Sequence, residues 1–156
     1  MTAQILHADH LLTMDADLSH DPAVLPALLA GLETHELVIG SRYVPGGGTR
    51  NWGLFRRMLS RFGSFYARSI LGLRQHDCTT GYRAYRADLL RRCGLLDSTT
   101  QGYSFLVEGL YRCVRAGATV LEVPILFVDR QYGKSKLSKA IMFEAALLPW
   151  RLRFSR

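Results

Sequence analysis

Leu11-Leu12-Thr13-Met14-Asp15-Ala16-Asp17-Leu18-Ser19-His20-Asp21-Pro22 is an apolar run that stops on two carboxylates and restarts at a proline. The run reads as a buried strand over residues 10–14, and the proline suits the first turn of a helix over 22–32. The acids then fall at the carboxyl end of a strand, where open α/β sheets bind ligands. Asp15 and Asp17, followed by Ser19, His20 and Asp21, make a compact oxygen-rich cluster suited to a hard divalent cation that also holds a diphosphate. The alternative is a solvated turn that caps the following helix, since Asp is a favoured N-cap.

Outward from this stretch, strand-like and helix-like segments alternate. A second strand is expected over 36–40, then the loop Pro45-Gly46-Gly47-Gly48. Over 53–71, Leu54, Phe55, Met58, Leu59, Phe62, Phe65, Tyr66 and Ile70 recur at helical spacing among Arg56, Arg57, Arg61 and Arg68. This is a basic amphipathic helix, whose apolar side reads first as core and second as an interfacial surface. A turn at 78–81, a short strand over 82–85 and helices over 87–93 and 104–116 come next. An apolar β-rich run covers 119–128, broken by Pro124, and a last helical pattern covers 137–148 before Arg151, Arg153 and Arg156. The opening order of strand, helix and strand predicts parallel pairing through a right-handed crossover. The expected class is α/β, a Rossmann-like and mostly parallel sheet flanked by helices.

Composition sets the limits. The 156 residues, 48% hydrophobic and 21% charged, suit a globular chain with one core or part of one. A formal net charge of +7 calls for an anionic partner, which could be nucleic acid, an anionic membrane surface or a phosphorylated substrate. Cys78, Cys93 and Cys113 are odd in number and widely spaced, which suggests neither a disulfide framework nor a zinc knuckle. The amino end lacks a signal-peptide pattern and no stretch approaches the ~20 apolar residues of a membrane span, so a soluble or peripheral chain is expected.

Phosphate chemistry recurs along the chain. Arg42 directly follows the second strand, so its guanidinium is expected at the same rim of the sheet as Asp15 and Asp17, where Arg suits bidentate phosphate binding. Arg56 and Ser60, four residues apart, share one helix face and could grip a phosphate together. Asp129-Arg130-Gln131-Tyr132-Gly133-Lys134-Ser135-Lys136 empties from the last strand as a cationic loop that is neither a Walker loop nor a dinucleotide fingerprint. Each could also be an ordinary solvated surface. The five histidines show no ligand spacing, although His20 adjoins the acidic pair.

The runs MDADLSHDP (14–22), VIGSRYVPGGG (38–48), RRMLSR (56–61), TTGYRAYR (79–86), GYSFLVE (102–108) and EVPILFVDRQYGKSKLS (122–138) together resemble polyprenol-phosphate (dolichol-phosphate) mannosyltransferases, members of a large inverting glycosyltransferase family. The resemblance extends from about Leu11 to the last helix. It implies that Asp15, with Ala16, contacts the donor nucleotide and that Asp17 binds Mg²⁺ or Mn²⁺. Ser19 falls where a further metal ligand sits, although some members carry Gln there. It implies that Arg42, Arg56 and Ser60 hold the lipid phosphate, and that Arg130 and Lys136 belong to a loop closing over the nucleotide diphosphate, so that Asp17, Arg130 and Lys136 carry the catalysis. The implied reaction moves mannose from GDP-mannose to a polyprenol phosphate with inversion, at the cytoplasmic face of a membrane.

That acceptor is already anionic, so no strong base is needed, and Glu108 reads as structural or orienting. Residues 1–136 are expected to form part of a catalytic domain and 137–156 a basic, membrane-interfacial helix. The strand and acidic turn that hold base and ribose in complete members are missing ahead of Asp15, which predicts weak or absent transfer by this polypeptide alone. Other readings are a polyprenol-phosphate glucosyl- or aminoarabinosyltransferase and a non-catalytic lipid-phosphate binder. A nucleic-acid module is disfavoured for want of a motif, so no nucleic-acid partner is expected.

Overall fold

The computed structural model describes residues 8–98, 100, 102–129 and 139–154, the first four of the last stretch by backbone alone. Strand β1 (His10–Thr13) leads through a short 3₁₀ turn, Pro22–Val24, into α1 (Leu25–Gly31), β2 (Leu37–Ser41), β3 (Gly48–Arg50) and the long helix α2 (Leu54–Leu71). Then come β4 (Arg83–Arg86), α3 (Ala87–Arg92), α4 (Gly102–Arg115), β5 (Val120–Pro124), β6 (Leu126–Val128) and α5 (Lys139–Phe154).

The main sheet has the order β1-β4-β2-β5. β2 pairs with β5 in parallel, whereas β4 runs antiparallel to both β1 and β2. Three of the four strands therefore share a direction, but the expected direct pairing of β1 with β2 is replaced by an inserted β4. Burial explains the insertion. Arg83, Ala84 and Tyr85 of β4 are all almost fully buried, as a central strand requires, while β1 is only half-covered, as suits an edge. An arginine in a central strand is tolerated because its Nη1 donates to Leu106 O (2.8 Å) and its Nη2 to Cys78 O (2.9 Å).

Alternation along β2 divides the core. Leu37 and Ile39 face Tyr85, Leu89, Leu110 and Leu148 on one side of the sheet, and Val38 faces Leu28, Leu32, Ala84 and Ile125 on the other. Helix α5, set apart in the sequence, thus contributes Leu148 to the common core. It runs on through Pro149 to Phe154, beyond the expected end, and packs on α2 and α4. Tyr66 Oη donates to Ala146 O (2.8 Å), and Ser104 Oγ to Glu144 Oε1 (2.8 Å).

Two breaks build the rim that carries the site. At Pro124 the chain leaves the main sheet; Ile125 N donates to Ser41 O (3.0 Å), Gly48 N donates to Ile125 O (2.9 Å), and β6 then pairs in parallel with β3 in a second, two-stranded sheet. The loop after β2, expected to be irregular as far as Gly48, folds back over the end of that strand. A Cβ at Gly47 would lie 2.5 Å from Ser41 O, so only glycine fits.

Helix α2 lies with its small side inward. Ser64, Ala67 and Leu71 are its buried residues, whereas Leu54, Phe55, Met58, Phe62 and Phe65 are each more than half exposed, Phe55 reaching 78%. The bulky apolar face, read first as core, is therefore surface, because small residues let the helix backbone lie close to the domain. Phe143, Trp150 and Phe154 of α5 are exposed as well. Among the described residues no helix is long and apolar enough to cross a membrane.

One ion pair ties the strand ends together. Arg42 Nε and Nη2 donate to the two oxygens of Asp77 (2.7 Å each), Arg42 N donates to Asp77 Oδ2 (3.0 Å), and both residues are buried. The backbone N–H groups of His76 and Asp77 in turn donate to Glu122 on β5 (2.9 and 3.0 Å). Burial opposes ionisation of Asp77, but the Arg42 hydrogen bonds and charge outweigh it and hold the carboxyl below its usual range. A group whose folded pKa is depressed stabilises the fold above its unfolded value of ~3.9 and loses that contribution as pH falls through the folded pKa. Asp77→Asn should lower the unfolding free energy by ~3–5 kcal/mol near neutral pH by stranding the guanidinium. In urea titrations repeated at decreasing pH, the gap between wild type and variant should narrow below about pH 4.

Candidate functional site

The acidic stretch leaves β1 at Thr13, whose Oγ1 donates to Gly81 O (2.7 Å). Asp15 and Ala16 are exposed and Asp17 is half-buried. Asp17 Oδ1 accepts from Ser19 N (3.1 Å), closing a turn in which Leu18 has φ +63° with its side chain in solvent. A leucine there is strained, and the neighbouring hydrogen bonds hold it in place. The helix cap is Asp21, which accepts from Ala23 N (2.9 Å). Capping therefore makes no use of Asp15 or Asp17. Asp15 lies over Gly81, where a Cβ would sit 3.3 Å from its Oδ1.

Behind the turn, Ser19 and His20 are buried to within 2%. His20 Nδ1 accepts from Asp15 N (3.0 Å), which places the proton of the neutral ring on Nε2, and Nε2 lies 3.9 Å from Asp15 Oδ2. Burial holds the His20 pKa below its ordinary value against the pull of Asp15. Ser19 Oγ and His20 Nε2 have no hydrogen-bond partner among the described residues. Two carboxylates beside an orphaned buried hydroxyl fit a hard cation that takes its remaining oxygens from a diphosphate and water. Among the described residues no group of three His, Cys, Asp or Glu side chains is placed to hold a metal ion by itself.

From His20 an unbroken line of rings crosses the rim. His20 stacks on Tyr82 (4.7 Å) and meets the edge of Phe127 (5.2 Å); Phe127 meets Trp52 (5.2 Å); and the Arg56 guanidinium sits 4.2 Å above Trp52. β6 runs alongside, its Val128 N donating to Ser19 O (3.2 Å) and its neighbour Asp129 accepting from Arg56 Nη1 (2.6 Å). Ser60 Oγ accepts from Tyr43 Oη (2.7 Å), with Arg61 over the Tyr43 ring (5.6 Å). Tyr43, Arg61, Phe65, Arg68 and His76 line an adjoining groove of ≈ 240 Å³.

Arg42 departs from its expected orientation. Its guanidinium turns inward onto Asp77 and Thr79 instead of projecting from the rim, because the buried carboxylate requires a countercharge. Its pKa is raised, the Asp77 contacts outweighing burial. Arg56, half-exposed, lies at the surface over Trp52 and paired with Asp129, and Ser60 accepts from Tyr43, whose ring lies under Arg61. Arg130 and Lys136 lie outside the described residues, Arg130 being next in sequence after the Asp129 that pairs with Arg56. Glu108 is buried, accepting from Thr100 Oγ1 (2.6 Å) and Ser98 Oγ (3.2 Å) and pairing with Arg112 (2.5 Å), which is an orienting arrangement.

Sequence reasoning marked His20 only as a neighbour of the acidic pair and Asp129 only as the start of the cationic loop, and it assigned no role to Trp52 or Phe127. His20→Phe keeps a ring in the stack but removes the acceptor for Asp15 N–H; urea unfolding should show a loss of ~1–3 kcal/mol, and His20→Asn, which restores an acceptor, should recover part of it.

Residues 3–94, which include the acidic turn, β2, Arg42, Arg56, Ser60 and the Asp77 turn, match the family described as glycosyl transferase family 2. The chain is 50% identical over 139 residues to an undecaprenyl-phosphate mannosyltransferase of Micrococcus luteus, covering 89% of this chain and 57% of that protein. It is 42% identical over 146 residues to a polyprenol monophosphomannose synthase of Mycolicibacterium smegmatis, covering 92% of this chain and 55% of that protein. The chain spans about half the length of these curated relatives. With a family match over more than half its residues and an acidic turn held at the rim of an α/β sheet, the chain belongs to glycosyl transferase family 2.

Proposed function

We propose that this chain carries the metal- and acceptor-binding part of a transferase that moves mannose from GDP-mannose to a polyprenol phosphate with inversion. The observation that carries this reading is the line His20–Phe127–Trp52–Arg56, which places a cation and an acidic turn on one rim, as a reaction between two phosphate-bearing substrates requires. The names of the two relatives support the mannosyl and polyprenol parts of the proposal.

In this reading Asp15 and Ala16 meet the nucleotide, and Asp17 with Ser19 holds Mg²⁺ or Mn²⁺. The cation, when bound, neutralises the departing diphosphate. Arg56 and Ser60, with Tyr43 and Arg61 beside them, orient the lipid phosphate. That anion attacks the anomeric carbon without prior loss of a proton, so positioning and charge stabilisation supply most of the rate. Arg42 acts from behind, fixing the strand end from which this surface rises. Arg130 and Lys136 keep their proposed place as donors to the nucleotide diphosphate.

The exposed Leu54, Phe55, Met58, Phe62 and Phe65 of α2, flanked by Arg57 and Arg61, and the exposed Trp150 and Phe154 of α5, beside Arg151 and Arg153, suit the surface of an anionic bilayer. We assign the chain to peripheral attachment at the cytoplasmic face, where the acceptor's phosphate would lie at the height of these side chains.

Transfer of labelled mannose from GDP-mannose to polyprenol phosphate in vesicles, read as single turnovers at high protein concentration because transfer by this polypeptide alone is expected to be weak, tests the proposal. Asp17→Asn should reduce the rate at least ~100-fold, and Arg56→Ala should raise the KM for the lipid ~10-fold or more with a smaller effect on the donor KM. Equal acceptor kinetics for Arg56→Ala and wild type would remove Arg56 from the acceptor site. In flotation with anionic phospholipid vesicles, the triple variant Phe55→Ser, Phe62→Ser, Phe65→Ser should lose most of its bound fraction, and wild-type binding should weaken as salt rises.

A further inference from the structure

Cys93 ends α3 and Cys113 lies on the inner face of α4, and the fold brings their sulfurs to 3.7 Å. Nothing in their spacing along the chain foretold the pairing. All three thiols of the chain are free, and Cys78 is buried with its sulfur directed to Gln75 O. Cys93 is partly exposed and Cys113 fully buried, so one thiol is open to a reagent in solution and the other stands directly behind it.

We infer that Cys93 and Cys113 form a dithiol site that low-molecular-weight disulfides of the glutathione class oxidise to an intramolecular disulfide. The Cys93 thiolate attacks one sulfur of the reagent, forming a mixed disulfide and releasing a thiolate. The Cys113 sulfur then attacks Cys93 Sγ, releasing the second reagent thiol and taking up no other oxidant; two protein thiols are oxidised and one reagent disulfide is reduced to two thiols. From 3.7 Å the sulfurs need to close by only about 1.7 Å to bonding distance, a movement within reach of side-chain rotation.

The surroundings favour this order of events. The hydrogen bond from Cys113 is the largest influence on Cys93 and lowers its pKa to about 6, while the same contact and burial hold the proton on Cys113. Arg92 and Arg112, ion-paired with Glu36 and Glu108, lie close enough for their charges to act on Cys93. Cys78 lacks both features: burial pushes its pKa up to about 12. The bond would tie α3 to α4 and close a loop through Ser98 and Thr100, the residues that hold Glu108.

The test uses the purified 156-residue chain and oxidised glutathione, followed by alkylation of remaining thiols and peptide mapping by mass spectrometry without reduction. The expected result is a monomer with one Cys93–Cys113 linked peptide, Cys78 alkylated only after unfolding, and a melting temperature raised by about 5 °C. In Cys113→Ser, a glutathione adduct should accumulate on Cys93, and in Cys93→Ser neither adduct nor link should form. Wild-type protein in which Cys93 stays alkylatable after oxidant treatment would overturn the inference, as would a link through Cys78 or between two chains. Since these readouts require no mannose transfer, they stand apart from the test of the proposed reaction.

Discussion

The buried pair between Arg42 and Asp77 is the constraint on which the rest of the structure depends. Removing both charges from water is costly, and the cost is met by two short side-chain hydrogen bonds and by backbone donors from Arg42 and Thr79. The pair joins the end of β2 to the turn that delivers β4, and through Glu122 the same turn is joined to β5. Two carboxylates, Asp77 and Glu122, thus hold this turn against the end of β2 and against β5. This also explains why a residue so well suited to phosphate does not face the rim: the buried cation is already committed, whereas Arg56 on the neighbouring helix, paired with Asp129, stays half-exposed.

A second dependence runs across the rim. Phe127 touches both His20 and Trp52 only because Pro124 ends β5 and lets β6 pair with β3. The acidic turn and the α2 cations are therefore positioned by packed rings instead of by long flexible side chains. The proposed transfer of a glycosyl group between two phosphates would benefit from such preorganisation, because groups that are already in place need not reorganise as charge moves. The strained Leu18 and the orphaned Ser19 hydroxyl belong to the same arrangement, a turn held for something other than its own stability.

What was legible in the sequence and what was not divides along physical lines. The acidic pair at a strand end, the amphipathic α2, the break at Pro124 and the tight turn before Tyr82 are local patterns, and local patterns can be read. The insertion of β4 could not, since a four-residue strand carrying Arg83 looks peripheral until the carbonyls that satisfy it are known. Nor could the orientation of α2: periodicity marks two faces but not which is buried, and here Ser64, Ala67 and Leu71 were chosen over the bulky side. The partners of Arg42, Arg56 and Cys93 lie far along the chain, at Asp77, Asp129 and Cys113. Such pairings are products of topology and leave no trace in spacing.

Gly47 complicates any attempt to map this protein by substitution. With Ser41 O only 2.5 Å from where a Cβ would stand, every replacement there must displace the backbone beside Arg42. In a saturation map scored by turnover, Gly47 would be as intolerant as Asp17, and the two would look alike. Scored by cellular abundance they would separate if, as proposed, Asp17 faces the ligand, because Gly47 sustains the architecture. Intolerance in this rim is thus a mixture of two signals, and only a paired measurement can resolve them residue by residue.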